Sequence, residues 1–176
     1  DRARSLDVVI VRPGWVPFGP GDVRGFPPLA ATIQKGRMPI SGDPAHLICT
    51  VFAPNLAEGI RLCLTHPDAP GKAFNITDAV RLSWDDYLQG IAQELGVRLE
   101  YRRIPPSIAV AAAACAETLW LPFGPRRRPP LTRYLARLMS RNLHFSSARA
   151  SSILGYQPPI PFEEGLARTI HWWKDR

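Results

Sequence analysis

Residues 7–12 read Asp-Val-Val-Ile-Val-Arg, a nearly continuous apolar run that stops at Pro13, the pattern of a strand buried on both faces of a parallel sheet. The next nine residues, Pro-Gly-Trp-Val-Pro-Phe-Gly-Pro-Gly, predict a shaped loop at the strand's carboxyl end, since proline removes donors and glycine permits unusual dihedrals. Pro27 and Pro28 can open a short helix closed by Gly36, and residues 46–52 read as a strand. Asn55 suits the N-cap of a helix whose apolar positions Leu56, Ile60, Cys63 and Leu64 recur at helical spacing. Residues 71–77 predict another strand. Ser83 with Asp86 three residues on predicts a capping box for a helix whose face is Trp84, Tyr87, Leu88, Ile91, Ala92 and Leu95, ended by Gly96.

Beyond Gly96 the pattern predicts a strand over 100–104, an alanine-rich helix over 107–121, and a break at Arg126 to Pro130. A helix with Leu131, Tyr134, Leu135, Leu138 and Met139 on one face follows, then a short helix over 148–154 stopped by Gly155 and a last one over 162–173. Strands alternating with helices, then mostly helices, indicate an α/β chain: the C-terminal part of a doubly wound parallel sheet plus a smaller, mainly helical domain. The expected division is residues 1–80 and 81–176. Two or three strands cannot complete such a sheet, so the first strand is expected to have neighbours outside this chain.

The 45% apolar content is ordinary for a globular protein, and the net charge of +7 comes from scattered arginines and the run Arg126, Arg127, Arg128. That run meets Pro129 and Pro130 with no aromatic ladder beside it, which argues against a nucleic-acid surface. Cys49, Cys63 and Cys115 form no C-x-x-C pair, and His46, His66, His144 and His171 are far apart, so neither a disulfide framework nor a metal site is expected. Unpaired thiols suggest a reducing, cytoplasmic setting. The 107–121 segment is too short to span a bilayer's roughly 30 Å core; it is expected to be a buried helix of the small domain, with a patch resting on a membrane as the alternative.

Taken in order, Val9-Ile10-Val11-Arg12-Pro13-Gly14-Trp15-Val16 with Gly19-Pro20-Gly21-Asp22, then Asn55-Leu56-Ala57-Glu58, then Gly71 to Ile76, resemble the extended short-chain dehydrogenase/reductases. Leu154-Gly155-Tyr156-Gln157-Pro158 and Phe162-Glu163-Glu164-Gly165-Leu166 are similar to that family's C-terminal end, and Ile104-Pro105 before the alanine-rich helix tilts the likeness toward the 3β-hydroxysteroid dehydrogenase-like branch. The resemblance implies a Rossmann-type sheet with NAD or NADP, whose nicotinamide would be touched by Pro13, Gly14, Trp15 and Val16. Phe18, Phe26, Met38 and Ile48, with Trp15, would supply an apolar lining for a small hydrophobic alcohol or ketone, sterol-like or phenolic. Residues 46–49 read His-Leu-Ile-Cys, where nucleotide-sugar enzymes of the family usually place an arginine.

The family's Gly-x-x-Gly-x-x-Gly turn is absent, since Gly19, Gly21 and Gly25 have the wrong spacing with a proline among them. Tyr87, Tyr101, Tyr134 and Tyr156 all lack a lysine four residues on, so no catalytic Tyr/Lys pair is present. The chain is therefore expected to be a C-terminal half whose first partner is the N-terminal half of the same protein; a peripheral membrane contact and a homodimer stay open. A non-catalytic reductase-like scaffold subunit is the competing reading. These residues alone are expected not to transfer hydride. Turnover of NAD(P)H with a steroid or aldehyde by the purified chain would refute that.

Overall fold

A computed structural model of the chain describes residues 7–120, 122 and 132–176. The elements in chain order are β1 (Ile10–Pro13), β2 (Val16–Phe18), α1 (Phe26–Ile33), β3 (Arg37–Ser41), β4 (Leu47–Ile48), β5 (Thr50–Phe52) and α2 (Ala53–Thr65). They continue with β6 (Ala73–Ile76), β7 (Leu82–Ser83), α3 (Trp84–Leu95), β8 (Glu100–Ile104), α4 (Pro106–Trp120), α5 (Arg133–Met139), α6 (Ala148–Leu154) and α7 (Phe162–Lys174). The expected α/β class holds. The arginine run at 126–128, Pro129, Pro130, Leu121 and Leu131 lie outside the described residues.

Packing divides the chain into two compact units, each assembled from separated stretches: residues 1–29, 48–82 and 144–176, and residues 30–47 and 83–143. A cut at residue 80 would assign α6 and α7 to the second half, but their apolar faces are satisfied in the first unit, α6 against β6 and α7 against β5. Gly165 makes the second contact possible, because a Cβ there would stand 2.9 Å from the Phe52 ring.

In the first unit β1 runs parallel to β6, Ile10 beside Ala73 through Pro13 beside Ile76, and β2 runs parallel to β5. Phe74, Ile76, Val51, Cys63, Ala150, Leu154 and Tyr156 form one core, with Val9 and Val11 packed against it. The expectation that β1 is buried on both faces fails here: Val8 is 54% and Ile10 51% exposed. Helices α2 and α6 cover one face, and among the described residues no layer covers the other. The 46–52 strand is also interrupted at Cys49, which separates β4 from β5, and the Cys49 carbonyl accepts the first bond of the β2–β5 ladder from Val16 N–H.

Asn55 is not the N-cap of α2. Phe52 takes that position, Pro54 occupies the first turn, and Asn55 turns inward, fully buried. Its Nδ2 donates to Asp78 Oδ1 (2.8 Å) and to the Ile160 carbonyl (2.9 Å), while its Oδ1 accepts from the Ile160 N–H (3.1 Å). The buried face of α2 is accordingly Asn55, Gly59 and Cys63, leaving Ile60 39% and Leu64 80% exposed. Of the expected face, Leu56 packs against the core and Cys63 is buried in it, with Leu62 packed beside them, so the buried stripe passes through Asn55 rather than through Ile60 and Leu64.

In the second unit β3 pairs parallel with β8, Arg37 beside Glu100 through Ser41 beside Ile104. The Ser83 capping box forms as expected: Asp86 N–H donates to Ser83 Oγ (3.1 Å) and Ser83 N–H to Asp86 Oδ2 (2.8 Å). The Ser83 hydroxyl, which donates to Asp86 Oδ2 (2.6 Å), and after it the Ser83 N–H hold the Asp86 carboxyl below its ordinary range. The buried face of α3 is Trp84, Tyr87, Leu88, Ile91 and Ala92, and Gly96 ends the helix at φ 69°. The alanine-rich α4, expected to be buried, is buried only at Ala109 and Ala113, with Ile108 and Leu119 exposed. Small side chains let α5 approach closely through its own buried Ala136, so α4 packs without an apolar stripe of its own, and Tyr134 of α5 faces solvent.

Asn55→Ala removes three buried hydrogen bonds at once and leaves the Ile160 peptide and Asp78 short of partners, so it should destabilise the chain by about 2 kcal/mol or more. Urea unfolding checks this; a loss under about 0.5 kcal/mol would show that water replaces the amide freely.

Candidate functional site

The loop after β1 is fixed by three carbonyls. Gly14 N–H donates to Ile76 O (2.8 Å) at the carboxyl end of β6, and Val16 N–H donates to Cys49 O (2.9 Å) just before β5. Thr50 O supplies the third constraint: a Cβ on Gly14 would stand 2.6 Å from that oxygen and 3.1 Å from Cys49 O. The sequence suggested glycine here for close approach to a ligand. The structure shows that glycine is needed for close approach of the loop to β5.

Pro13 is exposed, Gly14 buried, and Trp15 and Val16 half-buried, so the loop is anchored at its glycine and offers its flanks. It lies outside the carboxyl end of a parallel strand pair, where open α/β sheets bind ligands. Farther along, both Asp22 oxygens are occupied, Oδ1 by the N–H groups of Arg24 and Gly25 and Oδ2 by that of Phe26, which starts α1.

Behind the loop stands a buried carboxylate that sequence reasoning did not single out. Asp78, 7% exposed, follows β6; it accepts from Phe52 N–H at 2.9 and 3.1 Å and from Asn55 Nδ2, and its own N–H donates to Thr50 O (3.0 Å). The turn is strained on its far side, where Ala79 has φ 55°. The available signal was an acidic residue directly after an apolar strand, with a buried-spacing Asn upstream; neither has meaning until β5 and β6 are brought together.

Tyr156 is buried and donates its hydroxyl to Thr77 O (2.9 Å). Burial pushes its phenol well above the ordinary range, with the Asp78 and Glu58 charges adding to the effect, and its hydroxyl proton is committed to Thr77 O. Burial likewise raises the Cys49 thiol, which donates to Phe145 O. All three cysteines are free. Among the described residues no group of His, Cys, Asp or Glu could hold a metal ion, and no helix is long and apolar enough to cross a membrane.

The four residues expected to line a substrate site have different surroundings. Phe18 is 2% exposed and packs against the rings of Phe52 (5.3 Å) and Phe162 (5.7 Å). Phe26 is 2% exposed and meets Trp173 edge-on, and Ile48 is fully buried. Met38, on β3 in the second unit, is half-buried.

No family model matches the chain. Among curated proteins it is 31% identical over 168 residues to a 2-alkyl-3-oxoalkanoate reductase of Stenotrophomonas maltophilia, covering 93% of this chain and 51% of that protein. It is 30% identical over 174 residues to a 3β-hydroxysteroid-dehydrogenase/decarboxylase of Arabidopsis thaliana, covering 91% and 39%, and 26% identical over 162 residues to the decarboxylating sterol-4-alpha-carboxylate 3-dehydrogenase of Schizosaccharomyces pombe, covering 88% and 47%. The chain thus spans about half or less of the length of these relatives.

Two solved structures share its fold. A dTDP-glucose 4,6-dehydratase of Streptomyces venezuelae with NAD bound matches with a TM-score of 0.67 at 21% identity, over 99% of this chain and 46% of that one. RMD of Pseudomonas aeruginosa, complexed with NADPH, matches with a TM-score of 0.64 at 17% identity, over 97% and 49%. The resemblance read from the sequence is borne out by these relatives, and the fold is Rossmann-type.

Gly14→Ala should destabilise the chain by about 1–3 kcal/mol, because the new methyl meets fixed backbone rather than a side chain able to turn away. Urea unfolding that shows no loss would mean that the loop is not seated on β5.

Proposed function

We propose that this chain is part of an NAD(P)-dependent oxidoreductase whose upstream half supplies the glycine-rich turn and the Tyr/Lys pair. The observation that carries the reading is the 13–16 loop, seated by Ile76, Cys49 and Thr50 at the carboxyl end of the parallel β1 and β6 pair. Bound nicotinamide would supply or accept the hydride. In this reading Gly14 fixes the loop's height on β5, while Pro13, Trp15 and Val16 flank the nicotinamide and exclude water from it.

The cofactor fits these residues in kind: a rigid, anchored loop with half-buried apolar flanks outside a parallel sheet is suited to one wall of a nicotinamide site. The chain has no glycine-rich turn for the pyrophosphate, so the rest of the dinucleotide would rest on the upstream half. Phe18, Phe26 and Ile48, all in the first unit, would stiffen the apolar wall from within, and Trp15 would meet the substrate.

The relatives' names narrow the substrate class. A 3-oxoalkanoate with a 2-alkyl branch and a sterol with a 4-carboxylate oxidised at position 3 share one arrangement: the carbon beside the reacting carbon carries a carboxylate, and the remainder is apolar. We extend that class, an apolar 3-hydroxy or 3-oxo acid, to this protein. His46, Leu47, Ile48 and Cys49 favour it over a nucleotide sugar, because they provide no guanidinium to clamp a diphosphate.

The test is a purified full-length protein carrying this chain, assayed by the absorbance of reduced nicotinamide. Turnover of branched 3-oxo acids or 3-hydroxysterol acids with NAD(H) or NADP(H) is the expected result. Turnover confined to nucleotide sugars would overturn the substrate class, and failure to bind either dinucleotide would return the protein to the scaffold reading.

A further inference from the structure

We propose that Asp78 is a positioning residue for the nicotinamide loop; the proposal rests on the reading of residues 13–16 given above. The loop hangs from two segments that are not neighbours in sequence: Cys49 and Thr50 at the start of β5, and Ile76 at the end of β6. What fixes those segments relative to one another decides where the loop stands.

Asp78 bridges them in both directions. Its backbone N–H donates to Thr50 O, the oxygen under Gly14, and its carboxylate accepts from the Phe52 N–H two residues farther along β5. Only one residue, Thr77, separates it from Ile76, whose carbonyl holds Gly14. A side chain that moved off Phe52 N–H would free β5 to shift against β6, and the loop's two anchors would part.

The other partners restrict Asp78 further. Asn55 Nδ2 takes Oδ1 from the α2 side and is itself held by both polar groups of the Ile160 peptide, so the carboxylate is tied to the start of α7 through one amide. Thr77, beside it, accepts at its carbonyl from the buried Tyr156 hydroxyl. Every bond to the carboxylate comes from a donor. With an amide in its place, an oxygen at the Oδ1 position still accepts from Phe52 N–H and Asn55 Nδ2, but the amide nitrogen at the Oδ2 position, 3.1 Å from the Phe52 nitrogen, sets donor against donor and pushes the side chain off Phe52.

This role separates from ordinary stability because the loop would touch only the nicotinamide end of the dinucleotide. In the full-length protein, Asp78→Asn should weaken NAD(P)H binding by roughly tenfold while leaving binding of ADP-ribose, or its 2′-phosphate where NADP is preferred, unchanged. Fluorescence titration of both ligands gives the ratio. Equal weakening of both, or no change in either with the variant folded, would overturn the proposal. If Asp78→Asn does not fold, Asn55→Ser, which removes one donor and keeps Phe52 N–H in place, should shift the same ratio in the same direction by a smaller factor, and an unchanged ratio overturns it equally. Wild-type protein that binds neither ligand would instead remove the nicotinamide reading, and the positioning role with it.

Discussion

The parallel pairing of β1 with β6 is the constraint on which the rest of the first unit depends. Ile10 N–H donates to Lys72 O and Gly14 N–H to Ile76 O, so the even-numbered residues of the strand face β6. The N–H groups of Val9 and Val11 then point to the opposite edge, where no strand of the described residues pairs. The same alternation puts Val9 and Val11 side chains against the core and leaves Val8 and Ile10 uncovered. An apolar edge strand with one bare face is an unstable surface for a protein to leave in water. In the proposed reading this is an inner rung, whose next strand and second helical layer would come from the rest of a longer protein.

From that pairing the site follows by short steps. The end of β6 delivers Ile76 O to Gly14 and places Asp78 where its carboxylate meets the N-terminus of α2; Asp78 in turn fixes β5, and β5 offers Cys49 O and Thr50 O to the loop. Nothing in this circuit is a long flexible side chain. Backbone carbonyls, one glycine and one buried acid with donors on both sides set the loop's position, as a surface holding a rigid ring would require.

Much of this was legible in the sequence wherever one local rule sufficed. The Ser83 and Asp86 box, the left-handed stops at Gly96 and Gly155, and the turn after β1 are written in three or four adjacent residues each. The misreadings share a physical origin in long-range partners. Asn55 has a good cap's side chain, yet its partners Asp78 and Ile160, 23 and 105 residues away, hold it inside the unit. The alanine-rich α4 has the composition of a buried helix, but composition does not tell how much neighbouring structure exists to cover it. Of the proposed site, the loop residues were visible because proline and glycine punctuate them. Asp78 was not, since its significance arises only when two strands that are 21 residues apart, Phe52 to Ala73, lie in one unit.

The most direct test of the inner-rung account is amide hydrogen exchange at Val9 and Val11, measured in this chain alone and in the full-length protein. Fast exchange at both in the isolated chain, with strong protection in the full-length protein and protection at Arg12 in each, is the predicted result. Equal exchange of Val9 and Val11 in the two proteins would mean that β1 is a true edge strand, and would contradict the account.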